Sequence, residues 1–297
     1  MKRANAKRIK DGVIFYHLMF LLPVLQFCIF YIGVNFNSIT LAFKNYDSVT
    51  GEYSIVWFDN MFRFIKNINE EPSLNYAVKN SFLKYAYGWL FSTPFSLLFS
   101  YYIFKKKFMY KWIRVFLFLP SILSAMIMSL IFLNISGHVL PAVGLKDYLA
   151  DIDTQFVTIV FFNIWIGFGT GVLLYSSAMG AIPVSEIEAA MVDGAGPICE
   201  FFHIVMPSIY PTFTTFVVTG VASIFIDQAN VFNFYAEAAD PHAYTIGYYL
   251  FTQVVGKSSG YASYPYAAAA GIVFTAVAAP TTFLVKFLME KFGPSEG

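Results

Sequence analysis

Six apolar segments of about twenty residues or more constrain the fold of this chain more than any other sequence feature. A helix of that length can cross the roughly 30 Å hydrocarbon core of a membrane. Charged residues make up 12% of the chain and hydrophobic residues 58%, whereas an ordinary soluble domain is about a quarter charged. The sequence therefore predicts an all-α integral membrane protein with six transmembrane helices. The predicted spans run from about Val13 to Val34, Asn80 to Phe104, Val115 to Ile135, Gln155 to Met179, Ile209 to Ile226 and Tyr266 to Met289.

Basic residues indicate which ends of these helices face the cytoplasm. Five precede the first apolar segment, and five more lie between Lys105 and Arg114, where no acidic residue occurs. Lys and Arg are enriched in short cytoplasmic segments, so both termini are predicted to be cytoplasmic. The single domain 1–297 then divides into a basic N-terminus at 1–12, a first span at 13–43, an extracytoplasmic loop at 44–79, spans two to four at 80–179, a cytoplasmic loop at 180–208, spans five and six at 209–289 and a cytoplasmic tail at 290–297.

The loop between the fourth and fifth spans carries strong helix signals. Ser185 and Glu188 have the spacing of a capping box, in which the serine accepts a backbone N–H and the glutamate reaches back to the cap. Gly194 supplies a left-handed stop. The pattern predicts a short helix, a bend, and a second helical run from about Cys199 to Met206. A capped, rigid helix is unusual in a simple connector between two spans.

The same loop resembles the EAA loop of binding-protein-dependent ABC importer permeases. The resemblance lies in Glu188-Ala189-Ala190, in Asp193-Gly194-Ala195, and in the spaced isoleucine and proline that follow. It implies a coupling helix that docks on a cytoplasmic ATPase subunit. The coupling residues implied in this way are Ser185, Glu188, Ala189, Ala190, Asp193, Gly194, Ala195, Ile204 and Pro207.

The resemblance also implies a type I ABC importer permease fold, an assembly and a location. The segment from Thr245 to Phe251 and the ending EKFGPSE look like the sugar-permease branch, which includes maltose and glycerol-phosphate transporters. We therefore expect a multi-pass protein of a bacterial or archaeal plasma membrane that imports a sugar or oligosaccharide by alternating access. The expected partners are membrane lipids, a second homologous permease subunit, two ATP-binding cassette subunits and an extracytoplasmic solute-binding protein.

Motifs for catalysis or cofactor binding are missing from the sequence. Gly256-Lys257-Ser258 is not a Walker A motif, because Phe251 stands where that motif needs a glycine. We expect no enzyme activity, cofactor or metal in this chain, and ATP and Mg²⁺ would be bound by the partner ATPase subunits. Cys28 and Cys199 are far apart and outside any CxxC pattern, which favours ordinary apolar roles. The net charge of +1 gives no reason to expect nucleic acid as a partner.

Polar residues near the fourth and fifth spans are candidates for substrate binding. Polar groups in a membrane usually face a cavity or a neighbouring helix, and amides beside aromatic rings suit a sugar. In maltose-type members of the family, the spans on either side of the EAA loop line the sugar pocket. The alternative for each residue is hydrogen bonding between helices, and the GxxxG of Gly167 and Gly171 is typical of close helix packing. Counted from Glu188, the pocket positions of those members imply Asn163, Gly167, Thr170, Gly220, Ile224 and Asp227 as candidates, and the polar residues at the end of the fifth span add Asn230.

The sequence leaves two other functions open. A self-contained secondary transporter or channel for a small polar solute would need buried charges for ion coupling. Asp227 is the only carboxylate near a span outside the loops. A membrane enzyme would need a catalytic motif, and none is found in the sequence.

Overall fold

The computed structural model describes residues 15–256 and 260–294, most of which are helical. The chain divides into two compact units. The described part of the first consists of residues 15–64 and 260–272, and that of the second of residues 65–256 and 273–294. The predicted basic N-terminus, together with Lys257 and Ser258, lies outside the described residues.

The first unit begins with a long helix and continues into a small hairpin. Helix α1 spans Phe15–Ala42, is π-helical at Phe27–Gly33, and buries none of its apolar stretch within the protein. Strands β1 (Lys44–Tyr46) and β2 (Tyr53–Ile55) pair antiparallel. Helix α2 (Asp59–Glu70) begins in this unit.

The segment 44–79, predicted as a loop, holds this hairpin, helix α2 and the start of the next helix. The hairpin turn is closed locally, because the Asp47 carboxylate accepts the backbone N–H of Val49 at 2.8 Å. The Asn60 side-chain amide donates to the backbone oxygen of Lys44 at 2.7 Å and so ties α2 to the hairpin. Short-range polar contacts of this kind carry no hydrophobic periodicity, which is why the sequence pattern missed them.

Helix α3 occupies residues 72–104 and contains the predicted second span. It consists of Pro72–Tyr87, a π-helical stretch at Gly88–Ser92, and Thr93–Phe104. The helix begins at Pro72, eight residues before the predicted start of the span at about Asn80. Proline is favoured in the first turn, where its missing N–H costs nothing.

The predicted third span is broken in the structure. Helix α4 covers Tyr110–Ile122 and helix α5 covers Ala125–Ala142. Ser124 is extended between them, and its hydroxyl accepts the backbone N–H of Ile127 at 3.3 Å. Pro120 lies inside α4 close to this break. An N-cap serine thus restarts a helix within an apolar run that looked continuous.

Helix α6 (Gln155–Gly180) confirms the predicted fourth span to within one residue at its C-terminal end. Its glycines allow close packing. A Cβ on Gly169 would lie 2.2 Å from the carbonyl oxygen of Leu117 in α4, and one on Gly171 would lie 3.0 Å from a serine hydroxyl of α3. Nothing lies within 4 Å of a Cβ on Gly167. Of these three glycines, Gly169 therefore makes the closest contact with a neighbouring helix, and it is not part of the predicted GxxxG pair.

The segment 180–208 contains the two predicted helical runs, α7 (Val184–Val192) and α8 (Pro197–Ser208). Helix α9 (Tyr210–Ser223) follows α8 at an angle of 68°. Helix α9 corresponds to the predicted fifth span but ends at Ser223, three residues before the predicted end at about Ile226.

The segment between the predicted fifth and sixth spans also contains helical segments. These are α10 (Val231–Tyr235), a 3-10 turn at Pro241–Ala243, and α11 (Ile246–Val255). Helix α12 (Tyr264–Phe292) contains the predicted sixth span and continues through Pro280.

By length and composition, four of the described helices can cross a membrane: α1, α5, α6 and α12. The bent pair α8–α9 makes a fifth if it is one span. Helix α3 is not among them, because serine and tyrosine residues recur through its apolar part. Within the described residues, the structure gives four or five spans where the sequence predicts six.

Candidate functional site

The α7–α8 hairpin, residues 184–208, joins α6 to α9, and its first helix does not begin as predicted. Pro183 is the N-cap, with φ −56° and ψ 131°, and Ser185 already lies inside the helix. The predicted capping box of Ser185 and Glu188 is therefore wrong, since no side chain caps this end. The proline ring fixes φ at a value that leads directly into a helix, so the helix starts before the serine.

The end of α7 is as predicted. Gly194 has φ +77°, its N–H donates to the carbonyl oxygen of Met191 at 3.2 Å, and the N–H of Ala195 donates to that of Ala190 at 2.9 Å. This pair of bonds is a Schellman motif, which needs a left-handed residue at the position of Gly194. The hairpin bend therefore depends on glycine.

The two faces of α7 have different surroundings. Ile187 is buried in a cluster with Phe201 and Val205 of α8 and Met179 of α6, so the hairpin is packed against the rest of the second unit. The other face is exposed and mixes large apolar with acidic side chains, a composition typical of an interaction surface. The exposed residues of α7 and its C-cap are Val184, Ser185, Glu186, Glu188, Ala189, Met191, Val192 and Asp193.

A groove of about 740 Å³ lies along the hairpin. Of the nine predicted coupling residues, Ser185 and Glu188 do not line it, although both are exposed on α7. The other seven all do. They are Ala189, Ala190, Asp193, Gly194, Ala195, Ile204 and Pro207.

A buried ion pair fixes the hairpin to α3, and sequence analysis missed it. Glu200 is 3% exposed, and its two carboxylate oxygens accept from the Lys105 ammonium at 2.9 and 3.0 Å. The Tyr101 hydroxyl donates to the same carboxylate at 3.1 Å. Two sequence features could have predicted this pair. One is the single glutamate among the apolar residues of α8, and the other is the basic cluster that follows α3.

A second feature is a cavity of about 300 Å³ between α3, α6 and α9, here called the polar cavity. Five of the seven predicted substrate residues line it: Gly167, Thr170, Gly220, Ile224 and Asp227. The remaining lining residues are serines, a threonine, aromatic residues, small residues and one lysine. They are Ser81, Lys84, Tyr85, Gly88, Trp89, Ser92, Thr93, Ser96, Gly171, Tyr175, Phe216, Val217 and Ser223.

Lys84 of α3 forms an ion pair with Asp227 at the edge of this cavity. The lysine side chain is 18% exposed and the aspartate side chain 43% exposed. The second oxygen of Asp227 accepts the backbone N–H of Ala229 at 2.7 Å, which fixes the carboxylate. Lys84 was also missed in the sequence, although a lone lysine within a predicted span is a signal for function.

Asn163 and Asn230 lie beside the cavity in a hydrogen-bond network and are not among its lining residues. The Asn230 side-chain amide donates to the Asn163 side-chain oxygen at 2.8 Å, and Asn163 donates to the backbone oxygen of Ala229 at 2.8 Å. Asn233 adds a bond to Asn230 at 2.9 Å. These amides connect α6 to the segment after α9 by hydrogen bonds. Asn163 and Asn230 therefore have the interhelical role that was the alternative to substrate binding.

Other charged groups form local pairs. Lys146 and Asp151 pair in the connection between α5 and α6, where the lysine hydrogen bond lowers the pKa of Asp151. The backbone N–H of His242 lowers the pKa of Asp240. Among residues 15–256 and 260–294, no group of three or more His, Cys, Asp or Glu side chains could hold a metal ion.

The chain resembles known proteins both in sequence and in structure. Residues 92–295, about two thirds of the chain, match a family described as binding-protein-dependent transport system inner membrane component. The probable ABC transporter permease protein YurN of Bacillus subtilis (strain 168) is 28% identical over 203 residues, which cover 64% of this chain and 68% of that protein.

Two solved structures share the fold. One is a bacterial ABC transporter involved in the import of the acidic polysaccharide alginate, with a TM-score of 0.78 and 22% identity over 96% of this chain and 98% of that one. The other is a bacterial alginate ABC transporter in complex with an alginate pentasaccharide-bound periplasmic protein. Its TM-score is 0.72 at 21% identity, covering 96% of this chain and 95% of that one.

Proposed function

The chain belongs to the family of binding-protein-dependent transport system inner membrane components, and we propose that it is the permease subunit of an ATP-driven importer for a sugar or oligosaccharide. One observation carries the proposal. The α7–α8 hairpin is inserted between α6 and α9, and both of these helices line the polar cavity. A movement of the hairpin therefore acts on two walls of the cavity, as alternating access requires.

The exposed face of α7 and the adjoining groove are the proposed docking surface for an ATP-binding cassette subunit. Ser185, Glu188 and Asp193 would contribute polar contacts at its rim, and Met191 and Val192 would contribute apolar contacts. The packing of Ile187 in the core supports this assignment, because a lever must be attached firmly to what it moves. ATP and Mg²⁺ would be bound by the docked subunit.

The proposed topology has six spans with both termini in the cytoplasm of a bacterial or archaeal cell, in its plasma membrane. Helix α3 would be the second span, α4–α5 the broken third, and α9 the fifth, which follows α8 of the cytoplasmic hairpin after a bend of 68°. The basic cluster from Lys105 to Arg114 then lies on the same side as the hairpin, which agrees with the enrichment of Lys and Arg in cytoplasmic segments.

The proposed assembly contains a second homologous permease, two ATPase subunits and an extracytoplasmic solute-binding protein. The family description supports the last of these, since it refers to transport that depends on a binding protein. The alginate transporter bound to a periplasmic protein shows that a structural relative forms such a complex.

The polar cavity supports a sugar as the solute. Hydroxyl groups of serine and threonine residues can exchange hydrogen bonds with sugar hydroxyls, and the rings of Tyr85, Trp89, Tyr175 and Phe216 can cover the apolar faces of a pyranose. Gly167 and Gly220 leave space among these side chains. Thr170 and Asp227 complete the proposed contacts from the predicted set.

The experiment is affinity purification of the tagged chain from detergent-solubilised native membranes, followed by reconstitution in liposomes. We expect a second permease and an ATPase to co-purify. With the solute-binding protein added outside and ATP inside, the liposomes should accumulate a labelled sugar. Liposomes that contain ADP are the control.

A chain that purifies alone and still moves a solute without ATP would contradict the proposal. That result would favour a self-contained secondary transporter or channel.

A further inference from the structure

The charges that line the polar cavity compensate each other. Lys84 and Asp227 are the only Lys, Arg, Asp or Glu residues in the described lining, and they form an ion pair with one another. The cavity therefore contributes no net charge to the pathway. The tyrosine hydroxyls that also line it are neutral at physiological pH.

Asp227 is held in place by contacts to both of its carboxylate oxygens and to its backbone. One oxygen of Asp227 accepts from Lys84 and the other from the backbone N–H of Ala229, so each carboxylate oxygen already has a donor. The Thr245 hydroxyl donates to the backbone oxygen of Asp227 at 3.0 Å, which anchors the residue from α11. Lys84 lies on α3, so the pair connects α3 to the turn after α9.

An anionic solute meets an unfavourable field in this cavity. It would have to share the one ammonium with Asp227, and the carboxylate would repel it at short range. Drawing Lys84 away would leave Asp227 as an uncompensated, partly buried charge, which is costly. An uncharged polyol avoids both penalties, because its hydroxyls can donate to the carboxylate and accept from the remaining N–H groups of the ammonium.

We propose that this cavity selects an uncharged sugar or oligosaccharide, and that the Lys84–Asp227 ion pair excludes anionic sugars. This inference rests on the proposed importer function and specifies its solute. It does not follow from the structural likeness, since one of the similar transporters imports an acidic polysaccharide.

The test uses the purified complex and pairs of sugars that differ only in charge, such as glucose with glucuronate and trigalactose with trigalacturonate. Binding is measured as the quenching of the fluorescence of Trp89, which lines the cavity. The Trp89→Phe complex gives the background signal. No binding protein is present in this assay, so its own selectivity does not enter. ATP-driven uptake of the same sugars is then measured with the binding protein added.

Three variants replace the charged residues of the cavity, and two of them change its net charge. Asp227→Asn leaves Lys84 uncompensated and should shift the ratio of anionic to neutral binding by about tenfold or more toward the anion. Lys84→Met should shift the ratio in the opposite direction. The double variant restores neutrality and should bind with the wild-type preference, which also shows that the fold tolerates the substitutions.

A matched control is the exposed pair Lys146 and Asp151, in the connection between α5 and α6. Lys146→Met and Asp151→Asn make the same charge changes away from the cavity lining and should leave the ratio unchanged. Unchanged selectivity in Asp227→Asn, or ATP-driven uptake of only the uronate member of each pair by the wild-type complex, would overturn the inference. Absence of any ATP-driven uptake would instead overturn the proposed function.

Discussion

Gly194 shows how one backbone angle can decide whether the hairpin works. Its φ of +77° is required by the Schellman bonds at the end of α7, and an L-residue with a side chain pays about 1–2 kcal/mol in that conformation. We expect Gly194→Val to reach the membrane in normal amounts but to lose ATP-driven uptake, because the bend that orients α7 is displaced. Uptake and membrane content are measured on the same vesicles.

Gly196→Ala is the matched control for that variant. Gly196 has φ −73°, and nothing lies within 4 Å of an added Cβ, so the alanine variant should transport normally. Normal uptake by Gly194→Val would contradict the role given to the bend.

Gly220 supplies space in the polar cavity. A Cβ at this position would lie 2.8 Å from the ring carbon Cε2 of Tyr85, so Gly220→Ala must push the ring into the cavity or distort α9. Overpacking of this kind costs about 1–3 kcal/mol, and we expect KM for the sugar to rise by about tenfold. Gly180→Ala lies in α6 outside the lining of the cavity and meets no atom within 4 Å, so its KM should change little.

Sequence patterns predicted residues well where the backbone itself sets the requirement. Gly194 was identified because a helix stop needs a positive φ, and the structure has it. Ser185 was misassigned because its spacing from Glu188 fits a capping box, yet Pro183 starts the helix first. Lys84 and Glu200 were missed because their partners, Asp227 and Lys105, lie far away in the sequence.

At the scale of elements, the buried ion pair between Lys105 and Glu200 links the hairpin to α3. Removing one member of a buried pair leaves the other uncompensated and typically costs about 3–5 kcal/mol. Glu200→Gln should therefore lower the unfolding temperature of the complex and weaken the stimulation of ATP hydrolysis by the loaded binding protein. Thermal unfolding in detergent and stimulated ATPase rates measure the two effects.

A second variant distinguishes loss of charge balance from loss of the contact. Lys105→Met combined with Glu200→Gln removes both charges and should recover part of the lost stability. Lys286 and Glu290 form an exposed pair on α12 at 3.6 Å, and Glu290→Gln should leave the unfolding temperature nearly unchanged, as expected for surface pairs. Equal destabilisation by Glu290→Gln and Glu200→Gln would contradict this account.

Elements were predicted accurately where apolar length alone defines them. Helix α6 ends one residue from its predicted end, because its apolar run is continuous and has no competing cap. The prediction of a continuous third span was wrong at Ser124, where a single side-chain hydrogen bond caps the start of a new helix. The hairpin and the amphipathic helix in segment 44–79 were not predicted, because a search for long apolar runs does not detect such elements outside the spans.

At the scale of the whole molecule, the proposed topology and docking can be tested through a native thiol. Cys199 is exposed and lines the groove of the hairpin, so it should be on the cytoplasmic side and covered when an ATPase docks. Cys28 lies within the apolar helix α1, where a charged reagent has no aqueous access. A membrane-impermeant maleimide should therefore modify Cys199 in inside-out vesicles stripped of ATPase.

The same reagent should not modify right-side-out vesicles, and it should react much more slowly when the ATPase subunits remain bound. Cys199→Ser should abolish the signal, which assigns it to the groove. Labelling from the outside would invert the topology and place the hairpin beyond the reach of any cytoplasmic ATPase. Labelling from the inside that is indifferent to bound ATPase would keep the topology but move the docking surface away from the groove, toward the face of α7 that carries Ser185 and Glu188.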